Sequence, residues 1–481
     1  METVPMSRMS DQEENRTPGS TPGKKMPQFL AAGAATLVAL SGGCALAWTS
    51  PALSLLKAPD SRLAITDDQG SWVGAILPLG AIVGALPSGS LADRFGRKMF
   101  QLSLAPPFVV SWLMIAFAKS VGVLYAARFL SGLATGASCV VAPMYIAEIA
   151  ENSVRGTLSA FFQLMITVGI LVVYILGTVE NYDVLSWTCF TLPILFFAAF
   201  FWMPETPKYL LSKGKREEAR KSLAWLRGRP DVGEELAAMH TLVEEESIAQ
   251  KNTSFKDIIS SKTNVKAFFI CLGILMFQQL SGVNAVIFYT GTIFKAAGSG
   301  LPPTVSPVIV GVVQTVFTVV AAGLVDRAGR RVLLILSSVV MAICLAALGV
   351  YFKIRGTGLE PSEEAKHIGW LPLLSLAVFI IVFSLGFGPI PWALIGEFFA
   401  PNVKGIAAGI AVGINWTLAF IVTLTFTSLQ LSIGSDVTFW MFAGFNAAAA
   451  AFVILFLPET KGKSLEDIQK ELGGTKTKTN P

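Results

Sequence analysis

Twelve long apolar runs are the feature that most restricts what this chain can fold into. Each run approaches the length of about 20 residues at which a helix crosses the roughly 30 Å hydrocarbon core of a bilayer. Because lipid offers no partner to backbone N–H and C=O groups, such spans must be helical. The sequence therefore predicts an all-α membrane protein with spans at residues 29–51, 70–92, 99–118, 121–148, 157–178, 185–203, 265–288, 305–325, 332–353, 369–392, 403–428 and 435–457.

Composition excludes several other classes of protein. Only 14% of the residues are charged, against about 25% in soluble domains, so a soluble enzyme is excluded. The two histidines, His240 and His367, lie in polar stretches, which argues against a histidine metal site. The cysteines fall in apolar runs and indicate no disulfide framework. We expect no cofactor, no metal and no enzymatic activity, since no phosphate-binding glycine loop and no buried histidine or acid pair placed for proton transfer is found. No nucleic-acid partner is expected, because the basic residues are spread between the apolar segments.

The distribution of basic residues predicts the orientation of the chain. Most of the 37 lysines and arginines fall in the two tails, in the connections that follow even-numbered spans, and in the long segment 204–264. The positive-inside rule places all of these in the cytosol, with both termini. Within 204–264, the stretches 216–227 and 234–250 predict amphipathic helices. The first span follows a polar tail, so we interpret it as a retained helix and not a signal peptide.

Three sequence marks recur about half a chain apart. Residues 89–98, GSLADRFGRK, return as AGLVDRAGRR at 322–331; Glu148 and Arg155 return as Glu397 and Lys404; and Pro-Glu-Thr at 204–206 returns at 458–460. A parallel repeat of this kind is typical of alternating-access transporters. We predict a tail (1–28), a six-helix half (29–203), a cytosolic helical loop (204–264), a second six-helix half (265–457) and a second tail (458–481).

These marks, with further motifs, carry a family resemblance. The motifs are QQLSGVN at 278–284, GPIPW at 388–392, NWT at 415–417, PETP at 204–207 and PETKG at 458–462. Over residues 29–470 the chain resembles the sugar porter family of the major facilitator superfamily. Within that family it is most similar to the insect facilitated trehalose transporters and the animal facilitative glucose carriers. The resemblance implies the major facilitator fold and transport of trehalose or a hexose such as glucose by alternating access.

Amide side chains inside the spans are candidates for a binding site. A buried amide without a partner is costly, so it serves either as interhelical glue, worth about 0.6 kcal/mol per pair, or as the lining of a wet cavity. Glue is the better explanation for one lone glutamine, and the cavity is favoured for the set. An amide offers donors and acceptors that suit a neutral polyol. A pyranose also has an apolar C–H face that Trp392 can cover with Phe383 nearby, the alternative for either aromatic being lipid-facing or interfacial packing. With the resemblance, the candidate substrate-binding residues are Gln163, Gln278, Gln279, Asn284, Gln314, Phe383, Trp392 and Asn415.

Spans 7 and 10 are predicted to bend. Gly282 interrupts the first, and Gly386, Gly388, Pro389 and Pro391 interrupt the second, since glycine and proline weaken or break a helix. Such breaks supply gates, although membrane helices also tolerate glycine and proline without any gating role. Tyr289 resembles an outer gate residue.

Intramembrane acids are scarce, and this bears on energy coupling. Apart from Arg128, Glu148 and Glu397, the spans hold essentially no ionisable residue. Proton relays in membranes normally use carboxylates, and proton-coupled members of the family typically carry an acid in span 1, where residues 41–51 have none. A uniporter is therefore predicted, with a proton-coupled symporter as the alternative.

Charged residues at the cytosolic ends form a second candidate site. They are either solvated topology signals, worth about 0 to 1 kcal/mol per exposed pair, or a latch. The resemblance implies the latch: salt bridges between the halves that close the cytosolic side when the carrier faces outward. The candidates are Asp93, Arg94, Arg97, Glu148, Arg155, Glu205, Asp326, Arg330, Arg331, Glu397, Lys404 and Glu459.

One rival function belongs to another class, namely a non-transporting sugar sensor, for which tails of about 28 and 24 residues are short. The sequence leaves open which sugar is moved, because amides suit trehalose and hexoses alike. We expect a monomer in the plasma membrane whose partners are a sugar and the lipid bilayer.

Overall fold

The structure is a computed structural model that describes residues 24–58, 61, 63–151, 153–251, 262–298, 302, 304–356, 362–399, 401–461, 463 and 465–472. All regular structure in these residues is helical. The first-half helices are α1 (Met26–Ala47), α2 (Thr49–Leu56), α3 (Asp67–Phe95), α4 (Arg97–Leu102), α5 (Ala105–Ala116), α6 (Val121–Ile149), α7 (Arg155–Gly177) and α8 (Tyr182–Phe201). The segment that follows forms α9 (Pro207–Ser212), α10 (Arg216–Arg227) and α11 (Gly233–Lys251).

The second half repeats the pattern. Its helices are α12 (Lys262–Leu280), α13 (Val283–Ala297), α14 (Val305–Ala328), α15 (Arg330–Arg355), α16 (Glu363–His367), α17 (Leu371–Leu385), α18 (Ile390–Phe398), α19 (Pro401–Ile433), α20 (Ser435–Phe456) and α21 (Leu465–Leu472). Twelve stretches in the described residues are long and apolar enough to cross a membrane. The predicted fold class is confirmed. Spans 1, 3, 7 and 10 each consist of two helices in sequence, α1–α2, α4–α5, α12–α13 and α17–α18.

Glycines set the close approach of α3 and α6. A Cβ added at Gly132 would overlap the carbonyl oxygen of Leu77, and one added at Gly80 would overlap that of Phe129. Gly84 and Gly136, one turn further along, meet the opposite backbone in the same way. Small residues four apart on both helices let two membrane helices pack backbone against backbone. Van der Waals contact, and not burial from water, therefore holds this pair together.

The internal repeat extends to backbone geometry. Gly96 and Gly329 both have positive φ, +99° and +93°, and each begins the helix that follows it. Arg97 Nε lies 3.0 Å from a Glu148 oxygen, and Arg330 Nε lies 3.1 Å from a Glu397 oxygen. The same fold element therefore occurs once in each half. We call the end of the helix bundle that carries both copies of this element the terminal face, and the other end of the bundle the opposite face.

Helices α9 to α11 form a small unit at the terminal face with a core of its own. Leu210, Leu223 and Leu236 are buried in that core, whereas Leu242 is exposed. Arg227, 3% exposed, docks the unit on the first half: its Nη1 donates to the Ile149 carbonyl at 2.9 Å, and Glu151 lies 3.2 Å from its Nε. The unit is thus fixed to the end of α6.

The glycine packing leads to a stability prediction. Gly132→Ala should lower the stability of the protein in detergent by about 1 to 3 kcal/mol, because the new methyl group has to push α3 and α6 apart. Gly122→Ala on the same helix is the control, since a Cβ there meets only the Ser120 hydroxyl at 4.0 Å. Thermal unfolding monitored by size-exclusion chromatography measures both. Equal midpoints for the two variants would contradict the packing argument.

Candidate sugar site and gates

Four predicted amides form one hydrogen-bonded cluster where span 7 breaks. Gln278 and Gln279 stand in the last turn of α12, Asn284 in the first turn of α13, and Asn415 in α19. The Gln279 Nε2 donates to Asn415 Oδ1 at 2.9 Å, the Asn415 Nδ2 donates to Gln278 Oε1 at 3.0 Å, and the Asn284 Nδ2 donates to Gln279 Oε1 at 2.5 Å. We call these four residues the amide cluster. All of them belong to the second half.

Local sequence explains why span 7 breaks beside the cluster. Gly282 has φ +86°, a left-handed conformation that only glycine adopts without strain. The Ser281 hydroxyl donates to the Gln278 carbonyl at 2.6 Å and accepts from the Val283 N–H at 3.3 Å. Asn446 Nδ2 donates to the Ser281 carbonyl at 3.2 Å. The backbone groups that the break releases are therefore satisfied by neighbouring side chains, as an apolar environment requires.

Span 10 breaks next to the same cluster. α17 ends at Leu385 and α18 begins at Ile390, so Gly386, Gly388 and Pro389 lie in the connection and Pro391 in the first turn of α18. Gln278 Nε2 donates to the Phe387 carbonyl at 2.6 Å and to the Gly388 carbonyl at 3.2 Å. The two predicted bends are thus real helix breaks, and one side chain touches both. Their role as gates stays a prediction.

The other predicted lining residues lie on helices around the cluster. Gln163 is half-buried on α7, and Gln314, 3% exposed, is on α14. The Gln314 Oε1 is buried and has no hydrogen-bond partner among the described residues. Phe383 is buried near the end of α17, and Trp392 on α18 is 36% exposed. An uncommitted amide oxygen and a half-exposed indole are the kinds of groups that a polyol with an apolar face can use.

The two halves contact each other directly at the opposite face. The Gly291 N–H donates to Ser50 Oγ at 3.0 Å, and Tyr174 Oη donates to the Ile287 carbonyl at 2.8 Å. The Tyr289 ring is buried, and its hydroxyl donates to the Thr423 carbonyl at 3.0 Å. A Cβ added at Gly74 would lie 3.1 Å from that hydroxyl. The predicted gate residue therefore sits where the halves meet.

The charged candidates occupy the terminal face, and their described ion pairs lie within one half. Arg97 also pairs with Asp93 at 2.8 Å, and the Arg155 Nη2 donates to the Ala150 carbonyl at 3.4 Å. Arg94 is exposed, and its carbonyl accepts from Tyr209 Oη at 3.2 Å. The side chains of Asp326 and Lys404 lie outside the described residues. Since the expected bridges between halves belong to an outward-facing state, the latch stays a prediction.

Glu205 and Glu459, which are also latch candidates, each cap the N-terminus of a helix. The Glu205 carboxylate accepts from the backbone N–H of Lys98 at 3.0 Å, and Glu459 accepts from those of Arg330 at 3.0 Å and Arg331 at 3.1 Å. Each carboxylate thereby caps the N-terminus of a helix from a distant part of the chain, where negative charge is favourable. Burial raises the pKa of the Glu205 carboxyl, and the hydrogen bonds that it accepts oppose the rise.

Arg128 is the polar residue whose role was not predicted. It is fully buried in α6, where its Nε donates to the Val73 carbonyl at 3.1 Å and its Nη2 to Thr49 Oγ1 at 2.9 Å. Its Nη1 donates to the Ala45 carbonyl at 2.5 Å, and its guanidinium lies 5.3 Å from the Trp48 ring centroid. The arginine holds the junction of α1 and α2. The sequence signal for this residue is a lone arginine in an apolar run. That signal does not identify its partners, because they are mostly backbone groups.

The fold and the site together define a class. Two repeated six-helix halves, helix breaks within spans 7 and 10 beside a polar cluster, and contacts between the halves at the opposite face are the features of a multi-pass membrane transporter that works by alternating access. Residues 31–472 match the family model described as "Sugar (and other) transporter", and the chain belongs to this family. The predicted family is confirmed, and the protein is a transporter and not an enzyme.

Relatives and solved structures agree with this assignment. The chain is 41% identical to the facilitated trehalose transporter Tret1 of Culex quinquefasciatus over 93% of its own length and 86% of the relative. It is 40% identical to Tret1 of Polypedilum vanderplanki over 98% and 94%. Several other insect relatives are longer, and the chain spans 52–56% of their length. The xylose transporter XylE from E. coli, in a partially occluded inward open conformation, superposes with a TM-score of 0.75 at 25% identity, covering 92% of this chain and all of that one.

The buried arginine yields a prediction about stability. Arg128→Met should lower the unfolding temperature clearly, because it removes three buried hydrogen bonds from a charged group, each worth about 1.5 to 3 kcal/mol. Arg216→Met is the control, since Arg216 is exposed on α10. Fluorescence-detected thermal unfolding compares the two. If the Arg128→Met protein is as stable as the control, these hydrogen bonds contribute little to the stability of the protein.

Proposed function

We propose that this protein carries out facilitated, uncoupled transport of a neutral sugar, with trehalose as the first candidate and hexoses such as glucose as the second. The observation that carries the proposal is the amide cluster, an uncharged set of donors and acceptors at the point where two broken spans meet. Trehalose is placed first because relatives that are 40–41% identical to the chain are named as facilitated trehalose transporters. Polyol recognition by amides fits either sugar.

The surroundings of Arg128 support uncoupled transport. Residues 26–56, which form α1 and α2, contain no aspartate or glutamate. Arg128 of α6, which contacts these two helices, faces carbonyls, a hydroxyl and an indole ring instead of a carboxylate. A proton relay in the membrane needs a group that titrates, and a guanidinium does not titrate near neutral pH. The similar protein XylE is a proton:xylose symporter, and we assign no such coupling to this chain.

The orientation and location follow the same proposal. We place the terminal face in the cytosol, with both termini, because basic residues concentrate there. The opposite face is then the outer side, and the contacts between the halves there support a carrier that is shut toward the outside. We also propose that the protein works as a monomer in the plasma membrane.

Uptake into proteoliposomes tests the function directly. Purified protein should equilibrate labelled trehalose without ATP, and competition with unlabelled trehalose and glucose should rank the two substrates. An imposed pH gradient should leave the final ratio of internal to external sugar at one. Accumulation that follows the proton gradient would replace the uniporter with the symporter. A protein that binds sugar but equilibrates none would instead support a sensor.

The binding site is tested by comparing two asparagines. Asn284 is half-buried in the amide cluster, whereas Asn446 is fully buried and, among the described residues, donates to two backbone carbonyls, those of Ser281 and Phe442. Asn284→Ala should weaken sugar binding roughly ten- to a hundredfold, as expected for the loss of a partner of a bound hydroxyl, with little change in unfolding temperature. Asn446→Ala should mainly reduce stability. Isothermal titration and thermal unfolding distinguish the two, and unchanged affinity with lost stability in Asn284→Ala would reduce the cluster to helix glue.

A further inference from the structure

The break in span 10 leaves the backbone carbonyl of Phe387 without its helical donor. In a continuous α-helix, the carbonyl of Phe387 would accept a hydrogen bond from the N–H four residues later. That residue is Pro391, which has no N–H. Phe387 is fully buried, and an unsatisfied carbonyl in the hydrocarbon core is costly. A donor from outside the helix is therefore required.

Gln278 supplies that donor. Its Nε2 lies 2.6 Å from the Phe387 oxygen and 3.2 Å from the Gly388 oxygen, and the residue is 4% exposed. Its Oε1 accepts from Asn415 Nδ2 at 3.0 Å, so the orientation of the amide is fixed from both ends. The donor missing at Pro391 is thus replaced by a side chain from span 7.

This arrangement limits what Gln278 can offer to a ligand. A primary amide has two N–H hydrogens and one carbonyl oxygen. With Nε2 directed at two carbonyls of span 10, a sugar oxygen gains this donor only if the α17–α18 connection releases it. A ligand that binds one of two arrangements better shifts the equilibrium toward that arrangement. Sugar binding and the conformation of span 10 therefore compete for one amide.

We propose that Gln278 is a positioning residue that links occupancy of the amide cluster to the conformation of the α17–α18 break. The link deepens the proposed function and rests on it. Without sugar, Gln278 holds the break in the arrangement described here. With sugar, a hydroxyl competes for Nε2, the Phe387 carbonyl loses its donor, and the α17–α18 connection is free to change its path. Gln279, whose Nε2 bonds Asn415, has no such contact with the described residues of span 10.

Pro391 makes a sharp test possible. Pro391→Ala restores an N–H at position 391, which offers the Phe387 carbonyl a backbone donor from the first turn of α18. If Gln278 acts through that carbonyl, loss of its amide should matter less in the Pro391→Ala background. A double-mutant cycle measures such a coupling. Gln278→Leu and Pro391→Ala form the cycle, and Gln279→Leu with Pro391→Ala is the matched control.

Two readouts separate coupling from binding. Trehalose exchange in proteoliposomes gives the rate of the transport cycle. Alkylation of a cysteine introduced by Ser71→Cys gives the opening of the opposite face, because Ser71 is 4% exposed one turn before Gly74, which faces Tyr289. Alkylation of the parent chain without that cysteine is subtracted. Both readouts are taken with and without trehalose.

Gln278→Leu should slow exchange about tenfold or more and remove the effect of trehalose on Ser71→Cys alkylation, since one buried donor to a carbonyl is lost. In the Pro391→Ala background, the factor by which Gln278→Leu slows exchange should be about fivefold smaller than in the parent chain. The change that Gln278→Leu causes in Ser71→Cys alkylation without sugar should also be smaller in this background. Gln279→Leu should weaken binding by the same factor in both backgrounds. If Gln278→Leu does not fold, Gln278→Met, which has a similar length and no amide, replaces it in the cycle.

The outcomes separate the two proposals. Additive effects of Gln278→Leu and Pro391→Ala on exchange and alkylation, in a parent that transports sugar, would overturn the link and leave the transport function standing. Equal non-additivity for Gln279→Leu would also overturn it, because the effect would then not pass through the Phe387 carbonyl. A parent protein that exchanges neither trehalose nor glucose would overturn the proposed function, and the link with it.

Discussion

The absence of water in the bilayer core is the constraint on which the rest of this structure depends. A backbone group released from a helix in that environment must find a partner within the protein. Most of the chain meets this demand with uninterrupted helices. At the breaks of spans 7 and 10 the demand falls on side chains: Ser281, Asn446 and Gln278 each bond a carbonyl at or beside one of the breaks. The polar residues of the site are therefore also part of the helix framework.

The same constraint explains Arg128. A cation in the membrane interior is normally expected to pair with a carboxylate, but this one is surrounded by carbonyls, a hydroxyl and the Trp48 ring. Its partners come from the α1–α2 junction and from α3, so the charge is spread over dipoles that are already fixed in place. Near the terminal face the opposite arrangement holds, because Arg97 and Arg330 each meet a carboxylate of their own half.

How much of this could be predicted depended on whether the signal was local. Twelve spans, the internal repeat and the two bent helices follow from hydropathy and from glycine and proline positions, because each is a property of a short stretch. The amides of the cluster could be named as candidates for the same reason. Their mutual hydrogen bonds could not, since Asn415 lies over 130 residues away from Gln278 and Gln279. The docking of Arg227 on Ile149 and the capping of α4 by Glu205 also depend on contacts between distant segments, which periodicity does not encode.

The amide cluster lies entirely in the second half of the molecule, and on the proposed function this makes the two halves mechanically unequal. A sugar held by these amides would keep its position relative to α12, α13 and α19 while the first half tilts across it. The contacts that form and break in every transport cycle would then be those between the sugar and first-half groups such as Gln163. The second half would determine the affinity for the sugar, and the first half would determine the rate of transport.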